Sequence, residues 1–177
     1  FRVMPRQVQV QCHAKINLFL EVTGKRRDGY NSLASLFAKI SLFDVIDAET
    51  TERGLELELV DECGQGLDAG KENLVWRAAE AFRRRFRIGL GTRLKLTKRI
   101  PLGAGLGGGS SDAGGTLLAL ARLYGMRLDR SRLAALKRLA VKLGADVPFF
   151  LQPAALADGR GLGERLRPVL AGKALPW

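Results

Sequence analysis

The chain has 177 residues, of which 46% are hydrophobic and 27% charged, and its formal net charge is +11, a composition typical of one folded domain or of one domain with part of another. Two cysteines and one histidine are too few for a disulfide framework, a multi-histidine metal site or a serine triad, and they suit a reducing cytosol. No apolar run is long enough to span a membrane, so we expect a cytoplasmic protein.

The net positive charge indicates a polyanionic partner, either nucleic acid or a small phosphorylated substrate, unless it is simply a solvated surface. Basic side chains are scattered, with clusters at Lys25–Arg27 and Arg83–Arg87, and no aromatic residues alternate with them as they do where proteins stack bases. We therefore expect no nucleic acid partner. A basic stripe away from the glycine-rich segment described below would favour RNA, whereas basic side chains that converge on that segment would favour small anions.

The first third of the sequence predicts strands. Apolar and polar residues alternate over residues 8–22, which indicates a long half-buried strand, or two strands joined by a bulge. In this alternation Lys15 and Asn17 share one polar face, about 7 Å apart, and the pattern alone favours a solvated sheet surface there. A polar loop is predicted over residues 23–32, and Leu33–Asp47 is predicted as a strand pair.

The remaining two thirds mix helices with further strands. The predicted strands are Gly54–Val60 and Thr92–Ile100, the predicted helices are Asn73–Phe86, Ser111–Tyr124 and Ser131–Leu143, and Ala154–Val169 is a predicted hairpin. Asn73 suits the N-cap of the first helix, and GADVPFFL at residues 144–151 is predicted as a turn and a short apolar strand. Because strands come first and helices later, the sequence predicts an α+β fold rather than βαβ alternation.

The most informative segment is Pro101–Gly115, which reads PLGAGLGGGSSDAGG and leads into a predicted helix. Gly103, Gly105 and Gly108 match the GxGxxG spacing, but the segment after the helix is itself helical, whereas a dinucleotide fold requires a strand there. The segment contains no lysine, which excludes a Walker A loop. Glycines let a backbone approach a ligand, and a helix start offers free N–H groups, so we predict a phosphate cradle; a tight glycine-rich connection is the alternative.

Phosphoryl transfer also needs a group that positions or deprotonates the acceptor. The candidates are Lys15 and Asp146, and Asp146 lies between a helix-ending glycine and Pro148. A lone aspartate in such a place is more often a turn or cap residue. With a lysine beside it, the aspartate could act on a substrate hydroxyl, so we predict that the two side chains lie within reach of one hydroxyl group.

Three separated segments together resemble the GHMP kinase superfamily: AKINLFLEVTGKRRDGYNSL at Ala14–Leu33, PLGAGLGGGSSDAG at Pro101–Gly114 and GADVPFF at Gly144–Phe150. The resemblance implies an α+β fold like domain 2 of ribosomal protein S5, with a mixed or antiparallel sheet and helices on one face, and an ATP-dependent kinase. The first two segments are most similar to the branch that phosphorylates a cytidine-diphosphate-linked erythritol for isoprenoid synthesis. The alternatives are another small-molecule kinase of this superfamily, of homoserine or mevalonate type, and an RNA-associated S5-like binding module.

The resemblance also implies roles for particular residues. Asp146 is the base that takes the proton from the 2-hydroxyl of the erythritol, and Lys15 pairs with it and polarises that hydroxyl. Asn17 helps to hold the substrate, Tyr30 stacks on the cytosine, and Phe37 lines the same pocket. Mg²⁺ arrives with ATP rather than in a protein cage. The implied ATP-binding residues are Asn73, near the adenine, and Pro101, Gly103, Gly105, Leu106, Gly107, Gly108, Gly109, Ser110 and Ser111, around the phosphates.

Two features depart from the family pattern. Asn31 stands where the family usually has a histidine that hydrogen-bonds the cytosine, although asparagine can also donate and accept. The resemblance covers only the first of two family domains, so we expect residues 1–172 to be the ATP-binding domain and residues 173–177 to begin a ferredoxin-like second domain. Without that second wall a cleft holds reactants poorly and stays wet, so we expect reduced activity from the chain by itself.

Overall fold

The computed structural model describes residues 6–25, 31–161 and 165–169. The strands are β1 (Gln7–Lys25), β2 (Asn31–Thr51), β3 (Leu55–Asp61), β4 (Gly91–Lys98), β5 (Leu156–Gly161) and β6 (Arg165–Pro168), and the helices are α1 (Leu74–Phe86), α2 (Gly108–Leu123), α3 (Arg130–Leu143) and α4 (Val147–Phe150). The predicted first strand, the three predicted helices and the hairpin near the end of the chain are confirmed.

Strand β2 organises the sheet. It is 21 residues long and pairs antiparallel with β1 along one edge. Its other edge pairs with β4 over Val45–Thr51 and with β5 over Leu33–Ala38, while β3 lies parallel to β4 and β6 lies antiparallel to β5. The prediction of a strand pair in Leu33–Asp47 is therefore wrong, because no glycine, proline or asparagine interrupts this segment and the backbone stays extended.

The ladder between β1 and β2 contains a bulge next to Lys15. Its register shifts between His13 and Lys15, and Ala14 and Lys15 are both buried although they are neighbours. Beyond the bulge Leu18 and Leu20, which the alternation placed on the buried face, are exposed.

Of the two alternatives predicted for residues 8–22, the one with a bulge is thus correct. The solvated surface that the pattern alone favoured for Lys15 is wrong. His13 pairs with Phe43 but Lys15 pairs with Lys39, so the regular alternation of faces is interrupted at Lys15.

The helices cover one face of the sheet and leave the other face to solvent, as the fold prediction states. Helix α2 contacts both β1 and β2, and α1 and α3 pack beside it. The core between the sheet and the helices includes Val10, Ile46, Leu94, Leu96, Val75, Phe82, Leu117, Leu120 and Leu136. On the opposite face polar side chains pair with one another: Gln9 donates to Asp47 at 2.7 Å, and Arg93 forms ion pairs with Glu49 and Glu56.

The segment GADVPFFL forms a helical turn, α4, so the prediction of a short apolar strand there is wrong. Pro148 lies at the start of α4, where the fixed φ of proline suits a helix and its missing N–H is not needed. The turn sends two neighbouring aromatic rings into different contacts: Phe149 packs against Phe37, with ring centroids 5.3 Å apart, and Phe150 lies against Gly114 of α2. Helix α4 is therefore fixed between the sheet and α2.

Exposed cations lie on the outer helices, on the polar face of the sheet and in the loops. Lys15 and Lys98, which lie near the glycine-rich segment, are instead buried and face carboxylates. The exposed basic residues of α1, α3 and their flanks are Arg77, Arg84, Arg85, Arg87, Arg130, Arg132, Lys137, Arg138 and Lys142. None of the helices in the described residues is long and apolar enough to cross a membrane.

Candidate active site

The glycine-rich segment connects β4 to α2 through three glycines in the left-handed conformation. Gly103, Gly105 and Gly107 have φ values of +69°, +72° and +67°, which glycine adopts without the strain that a Cβ brings. Gly107 is the N-cap of α2, so the helix begins three residues before the predicted Ser111. Because the first N–H groups of a helix have no partner within it, the segment presents backbone donors at the positive end of the helix dipole, which suits a phosphate.

Most of the residues predicted to surround the phosphates are accessible. The exposed residues of that set are Pro101, Gly103 and Gly105, the half-buried ones are Leu106, Gly107, Gly108, Gly109 and Ser110, and Ser111 is buried. The chain thus passes from an open loop into the first turn of α2, where Ser111 is already part of the core. An anion could reach the loop and the first helical N–H groups from solvent.

Two hydrogen bonds join the glycine-rich segment to β1 at the bulge. The backbone N–H of Lys15 donates to the carbonyl oxygen of Leu106 at 2.9 Å, and the hydroxyl of Ser111 donates to the carbonyl oxygen of His13 at 2.7 Å. A bulge leaves backbone groups outside the strand ladder, and here the glycine-rich segment receives one of them. The Lys15 side chain then runs past Gly107, where an added Cβ would lie 3.0 Å from Lys15 Cγ.

The structure brings Lys15, Asn17 and Asp146 together. Lys15 Nζ donates to Asn17 Oδ1 at 2.8 Å and lies 3.4 Å from Asp146 Oδ2. Asp146 is the N-cap residue of α4, but its side chain makes no capping hydrogen bond, so the plain cap interpretation does not describe its carboxylate. The Asp146 side chain is 31% exposed whereas that of Lys15 is 9% exposed. The carboxylate is therefore open to a substrate hydroxyl beside a fixed ammonium group.

The predicted substrate-binding residues are only partly described. Phe37 is 4% exposed, and Lys15 Nζ lies 5.3 Å from the centre of its ring, so Phe37 forms the apolar floor beneath the lysine. Tyr30 lies outside the described residues. The backbone of Asn31 starts β2, where it pairs with Lys25, but its side chain is also outside the description.

Asn73 lies at the wall of a cavity of about 310 Å³ between α1 and the glycine-rich segment. Its side chain caps α1 by accepting from the Val75 N–H at 2.9 Å and donates to the Asp68 carbonyl at 2.9 Å. The lining is mostly apolar, with Leu74, Leu102 and the backbone of Gly109 among the contacts. Apolar walls beside a segment whose backbone donors suit a phosphate also suit a nucleotide base.

A buried cluster of three charged residues lies beneath the start of α2, and the sequence analysis did not find it. Lys98 Nζ donates to Asp112 Oδ2 at 2.9 Å and to Asp44 Oδ2, and Lys98 and Asp44 are 1% and 0% exposed. Asp44 Oδ1 also accepts from the backbone N–H of Ile100 at 2.8 Å. One signal was present in the sequence: Lys98 continues the inward positions of Leu94 and Leu96 in β4, so a lysine occupies a core position of a strand.

The cluster holds more negative than positive groups, and this changes its protonation. Burial raises the pKa of Asp112 to about 8, with Lys98 opposing and Asp44 adding to the effect. Burial lowers the pKa of Lys98, but Asp112 and Asp44 outweigh it, so the net change is a rise. Burial, and then the charges of Asp112 and Asp44, raise the pKa of the nearby Cys12 thiol. The buried Lys98 ammonium therefore lies between two carboxyl groups and is their nearest counter-charge.

No group of three or more His, Cys, Asp or Glu side chains that could hold a metal ion occurs among the described residues. A larger concavity, of about 690 Å³, lies on the polar face of the sheet beside Gln9, Glu49 and Arg93. Its charged side chains are largely paired with one another, and the sheet separates it from Lys15. The candidate site is therefore the cleft between β1, the glycine-rich segment and α4.

A comparison with protein-family models finds a match in the middle of the chain. Residues 73–153 match the family model described as GHMP kinases N terminal domain. The matched range contains the glycine-rich segment and Asp146, and it begins after Lys15 and Asn17.

A curated relative matches nearly the whole chain. The chain is 44% identical over 173 residues to 4-diphosphocytidyl-2-C-methyl-D-erythritol kinase from Chlorobaculum parvum, which covers 97% of this chain and 57% of that relative. The chain thus spans little more than half the length of the relative.

Solved structures show the same fold. A crystal structure of 4-(cytidine 5'-diphospho)-2C-methyl-D-erythritol kinase matches with a TM-score of 0.78 and 45% identity, over 96% of this chain and 56% of that one. A homoserine kinase from Cytophaga hutchinsonii matches with a TM-score of 0.67 and 18% identity, over 89% of this chain and 50% of that one, which speaks for the fold alone. The predicted α+β architecture is confirmed.

Proposed function

We propose that the chain belongs to an enzyme that uses ATP to phosphorylate the 2-hydroxyl of 4-diphosphocytidyl-2-C-methyl-D-erythritol. The match of residues 73–153 to the model of the GHMP kinase N-terminal domain supports this, as does the fold shared with a kinase of that substrate. The similarity at 44% identity to a kinase of that name supports this substrate. This similarity favours the cytidine-linked branch over kinases of homoserine or mevalonate type. It also favours a kinase over an RNA-binding module, although exposed cations lie on the outer helices. The expected place of the reaction is the cytoplasm.

One observation carries the proposal: the 3.4 Å approach of Lys15 Nζ to Asp146 Oδ2, beside the N-cap glycine of α2. An acceptor hydroxyl that lies against this pair is close to the N–H groups that would hold the phosphates of ATP. Phosphoryl transfer depends chiefly on such positioning and on positive charge near the transferred group. The two halves of the site are joined directly, since Lys15 and Leu106 share a backbone hydrogen bond.

In the proposed reaction Asp146 is the general base and Lys15 orients the hydroxyl. The hydroxyl oxygen forms a bond to the γ-phosphorus while its proton passes to the Asp146 carboxylate. The bond between the γ-phosphorus and the oxygen that links it to the β-phosphorus breaks, and ADP leaves with that electron pair. The Lys15 ammonium, fixed by Asn17 and by the walls around it, balances the charge that develops on the transferred group.

The backbone donors of the glycine-rich segment fit the triphosphate, and the cavity beside Asn73 and Leu74 fits the base. Because no acidic cluster occurs in the described residues, we propose that Mg²⁺ enters bound to the phosphates of ATP, where it neutralises charge on the transferred group. The residues proposed to contact ATP are Asn73, Pro101, Gly103, Gly105, Leu106, Gly107, Gly108, Gly109, Ser110 and Ser111.

The acceptor side of the site rests on Asn17, Tyr30, Asn31 and Phe37. We propose that Tyr30 stacks on the cytosine and that Asn31 supplies a hydrogen bond that the family usually takes from histidine. Residues 1–172 then form the ATP-binding domain, and residues 173–177 begin a second, ferredoxin-like domain that completes the substrate cleft. The 57% coverage of the curated relative is consistent with this division.

The test is to incubate the chain, and the longer protein that the proposal expects, with ATP, Mg²⁺ and 4-diphosphocytidyl-2-C-methyl-D-erythritol and to measure ADP release. Homoserine and mevalonate are the matched alternative acceptors, and RNA retention on a filter tests the binding-module alternative. We expect ADP release from the longer protein only with the cytidine-linked acceptor. Turnover of homoserine or mevalonate instead, or RNA binding without turnover, would overturn the proposal.

A further inference from the structure

A second lysine lies on the same face of the sheet as Lys15. Lys39 of β2 is directly opposite Lys15 in the antiparallel ladder, and residues paired in this way place their side chains on one face. Lys15 reaches Asp146, at the start of α4. The Lys39 Nζ atom instead donates to the carbonyl oxygen of Gln152, just after the end of α4. Two opposed lysines thus contact the two ends of one short helix.

A row of two aromatic rings lies between the lysines. Lys39 Nζ is 5.4 Å from the centre of the Phe149 ring. The Phe149 and Phe37 ring centroids are 5.3 Å apart, and Lys15 Nζ is 5.3 Å from the centre of the Phe37 ring. A cation within about 6 Å of a ring centre is attracted to the ring. Because Phe149 belongs to α4 and Phe37 to β2, the row joins the helix to the sheet beneath the candidate site.

Helix α4 depends on its neighbours for its position. It is four residues long, and so short a helix is not stable by itself. The Gln152 N–H closes the last turn by donating to the carbonyl oxygen of Phe149 at 3.2 Å, and the Gln152 carbonyl oxygen accepts from Lys39. The backbone N–H of Lys39 also donates to the carbonyl oxygen of Ala155 at 2.8 Å. One residue of β2 therefore holds the chain on the exit side of α4 through its side chain and its backbone.

The environment of the Lys39 ammonium makes this contact stronger than one at the surface. The side chain is half-buried, and burial lowers the pKa of Lys39. A partly desolvated ammonium needs acceptors from the protein, and here the Gln152 carbonyl and the face of the Phe149 ring supply them. A hydrogen bond with a charged donor stabilises a fold more than a neutral one does. Loss of the ammonium should therefore loosen α4.

We propose that Lys39 is a positioning residue for the reaction: by holding the far end of α4 against the sheet, it keeps the Asp146 carboxylate beside Lys15. The inference rests on the proposed function, since it takes Asp146 as the base. Lys39 acts through α4 rather than on the acceptor itself. Because a displacement of about 1 Å at a reacting group can lower a rate about 100-fold, loss of the contact should lower kcat more than it changes the affinity for ATP.

The first measurement is made on the chain by itself and needs no activity. Lys39→Met keeps the aliphatic stem and removes the ammonium, and Lys39→Arg keeps a charged donor. We expect amide hydrogen exchange at Phe149 and Gln152 to be about tenfold faster in Lys39→Met and within about threefold of the unmodified protein in Lys39→Arg. Lys95→Met, which removes a cation paired with Glu58 on the opposite face of the sheet, is the control and should leave both rates unchanged.

Unchanged exchange in Lys39→Met would overturn the inference. If Lys39→Met does not fold, Lys39→Gln replaces it, because glutamine is polar but uncharged and shorter than lysine. The same acceleration is expected from Lys39→Gln, and its absence would count equally against the inference.

The second measurement uses the longer protein that the proposed function expects, and it separates positioning from a purely structural role. We expect kcat to fall at least about tenfold in Lys39→Met, with KM for ATP within about threefold, because the bond between the glycine-rich segment and β1 is untouched. Lys39→Arg should recover most of kcat. In an Asp146→Asn background, Lys39→Met should lower kcat no more than about twofold, since the carboxylate through which it acts is already gone.

Two outcomes of the second measurement would overturn the inference. One is a full tenfold loss from Lys39→Met in the Asp146→Asn background, which would mean that Lys39 does not act through Asp146. The other is a rise in KM for ATP as large as the fall in kcat. An unmodified longer protein without turnover would instead overturn the proposed function, while the exchange rates would still test the hold of Lys39 on α4.

Discussion

The backbone N–H of Lys15 donates to the carbonyl oxygen of Leu106 at 2.9 Å, so the bulge beside Lys15 and the glycine-rich segment are held as one unit. The bulge turns the Lys15 side chain toward the helices, and the same irregularity frees the backbone group that the segment receives. A single local departure from strand geometry thus places a lysine beside Asp146 and fixes it against the start of α2.

Replacement of Asp146 tests the assignment of the base. Asp146→Asn keeps the shape of the side chain but removes its ability to accept a proton as a carboxylate. We expect phosphorylation of the acceptor to fall by a factor of at least about 10², with ATP affinity nearly unchanged because the glycine-rich segment is untouched. ADP release and nucleotide binding are the two measurements.

Asp129→Asn is a matched control for that variant. Asp129 is also a helix N-cap, but its side chain does cap, since it accepts from the Arg132 N–H at 2.9 Å. Asparagine is as good an N-cap as aspartate, so activity and stability should change little. Near-normal turnover in Asp146→Asn would show that the base lies elsewhere.

Gly107→Ala tests whether the N-cap of α2 must leave room for Lys15. Gly107 has a φ of +67°, and an added Cβ would lie 3.0 Å from Lys15 Cγ and 3.1 Å from Lys15 Cε. We expect a loss of about 1 kcal/mol in stability from the left-handed backbone, and a loss of activity of about 100-fold because displacing the ammonium by about 1 Å misaligns the acceptor.

Gly64→Ala separates the backbone effect from the contact with Lys15. Gly64 has a φ of +65° but nothing within 4 Å of an added Cβ, so it should lose similar stability and keep the activity. Thermal unfolding and ADP release on both variants make the comparison. Equal activities would mean that Gly107 matters for conformation alone.

Much of the fold follows from the sequence because most elements obey a single periodicity. The alternation in β3 and β4 and the helical spacing in α1 and α3 each match the face that is buried. The α4 turn was missed because four residues carry no periodicity, and the continuous β2 was missed because its partner changes from β5 to β4 along one edge. Only the second leaves a local signal in the sequence, since Leu33–Asp47 contains no glycine, proline or asparagine at which a turn could form.

The residues that face the cleft, Lys15 and Asp146, were easier to predict than the buried charged residues beneath it. Lys15 and Asp146 were found through their neighbours in sequence, although alternation alone would have left Lys15 in solvent. The bulge that buries it depends on contacts with residues about 90 positions away, Leu106 and Ser111. The Asp44–Lys98–Asp112 cluster was missed because it joins β2, β4 and α2, and only Lys98 carried a sign of its burial.

Lys98→Met tests how far the buried cluster depends on its one cation. The change leaves Asp44 and Asp112 buried together without a counter-charge, and breaking a buried ion pair in this way costs about 3–5 kcal/mol. The free energy of unfolding from denaturant titration is the measurement. Arg93→Met is the matched control, since Arg93 also faces two carboxylates but is 48% exposed, and its loss should be much smaller. Equal losses would mean that the cluster is solvated.

The pH dependence of stability tests the protonation of Asp112. Its pKa is raised from 3.8 to about 8 in the folded protein, so between those values the folded state holds a proton that the unfolded state releases. The slope of the free energy of unfolding against pH is therefore negative in that window, and stability should fall as the pH rises from about 5 to about 8. Lys98, with a raised pKa, contributes only at higher pH. Asp112→Asn should flatten the profile, and an unchanged slope would assign it to another group.

Close packing of α2 on β1 predicts a paired effect at Gly115 and Cys12. A Cβ added at Gly115 would lie 2.2 Å from Cys12 Sγ, and both residues are buried, so Gly115→Ala should destabilise the protein by about 1–3 kcal/mol. Cys12→Ala removes the sulfur that clashes, so the double variant should recover part of that loss, although Cys12→Ala alone should itself be destabilising. Denaturant unfolding of the two single variants and the double variant gives the coupling energy between them. Because α2 carries the N–H groups proposed to hold the phosphates, ATP affinity should fall in Gly115→Ala and recover with stability in the double variant. Additive losses would show that the helix and the strand do not meet through these two residues.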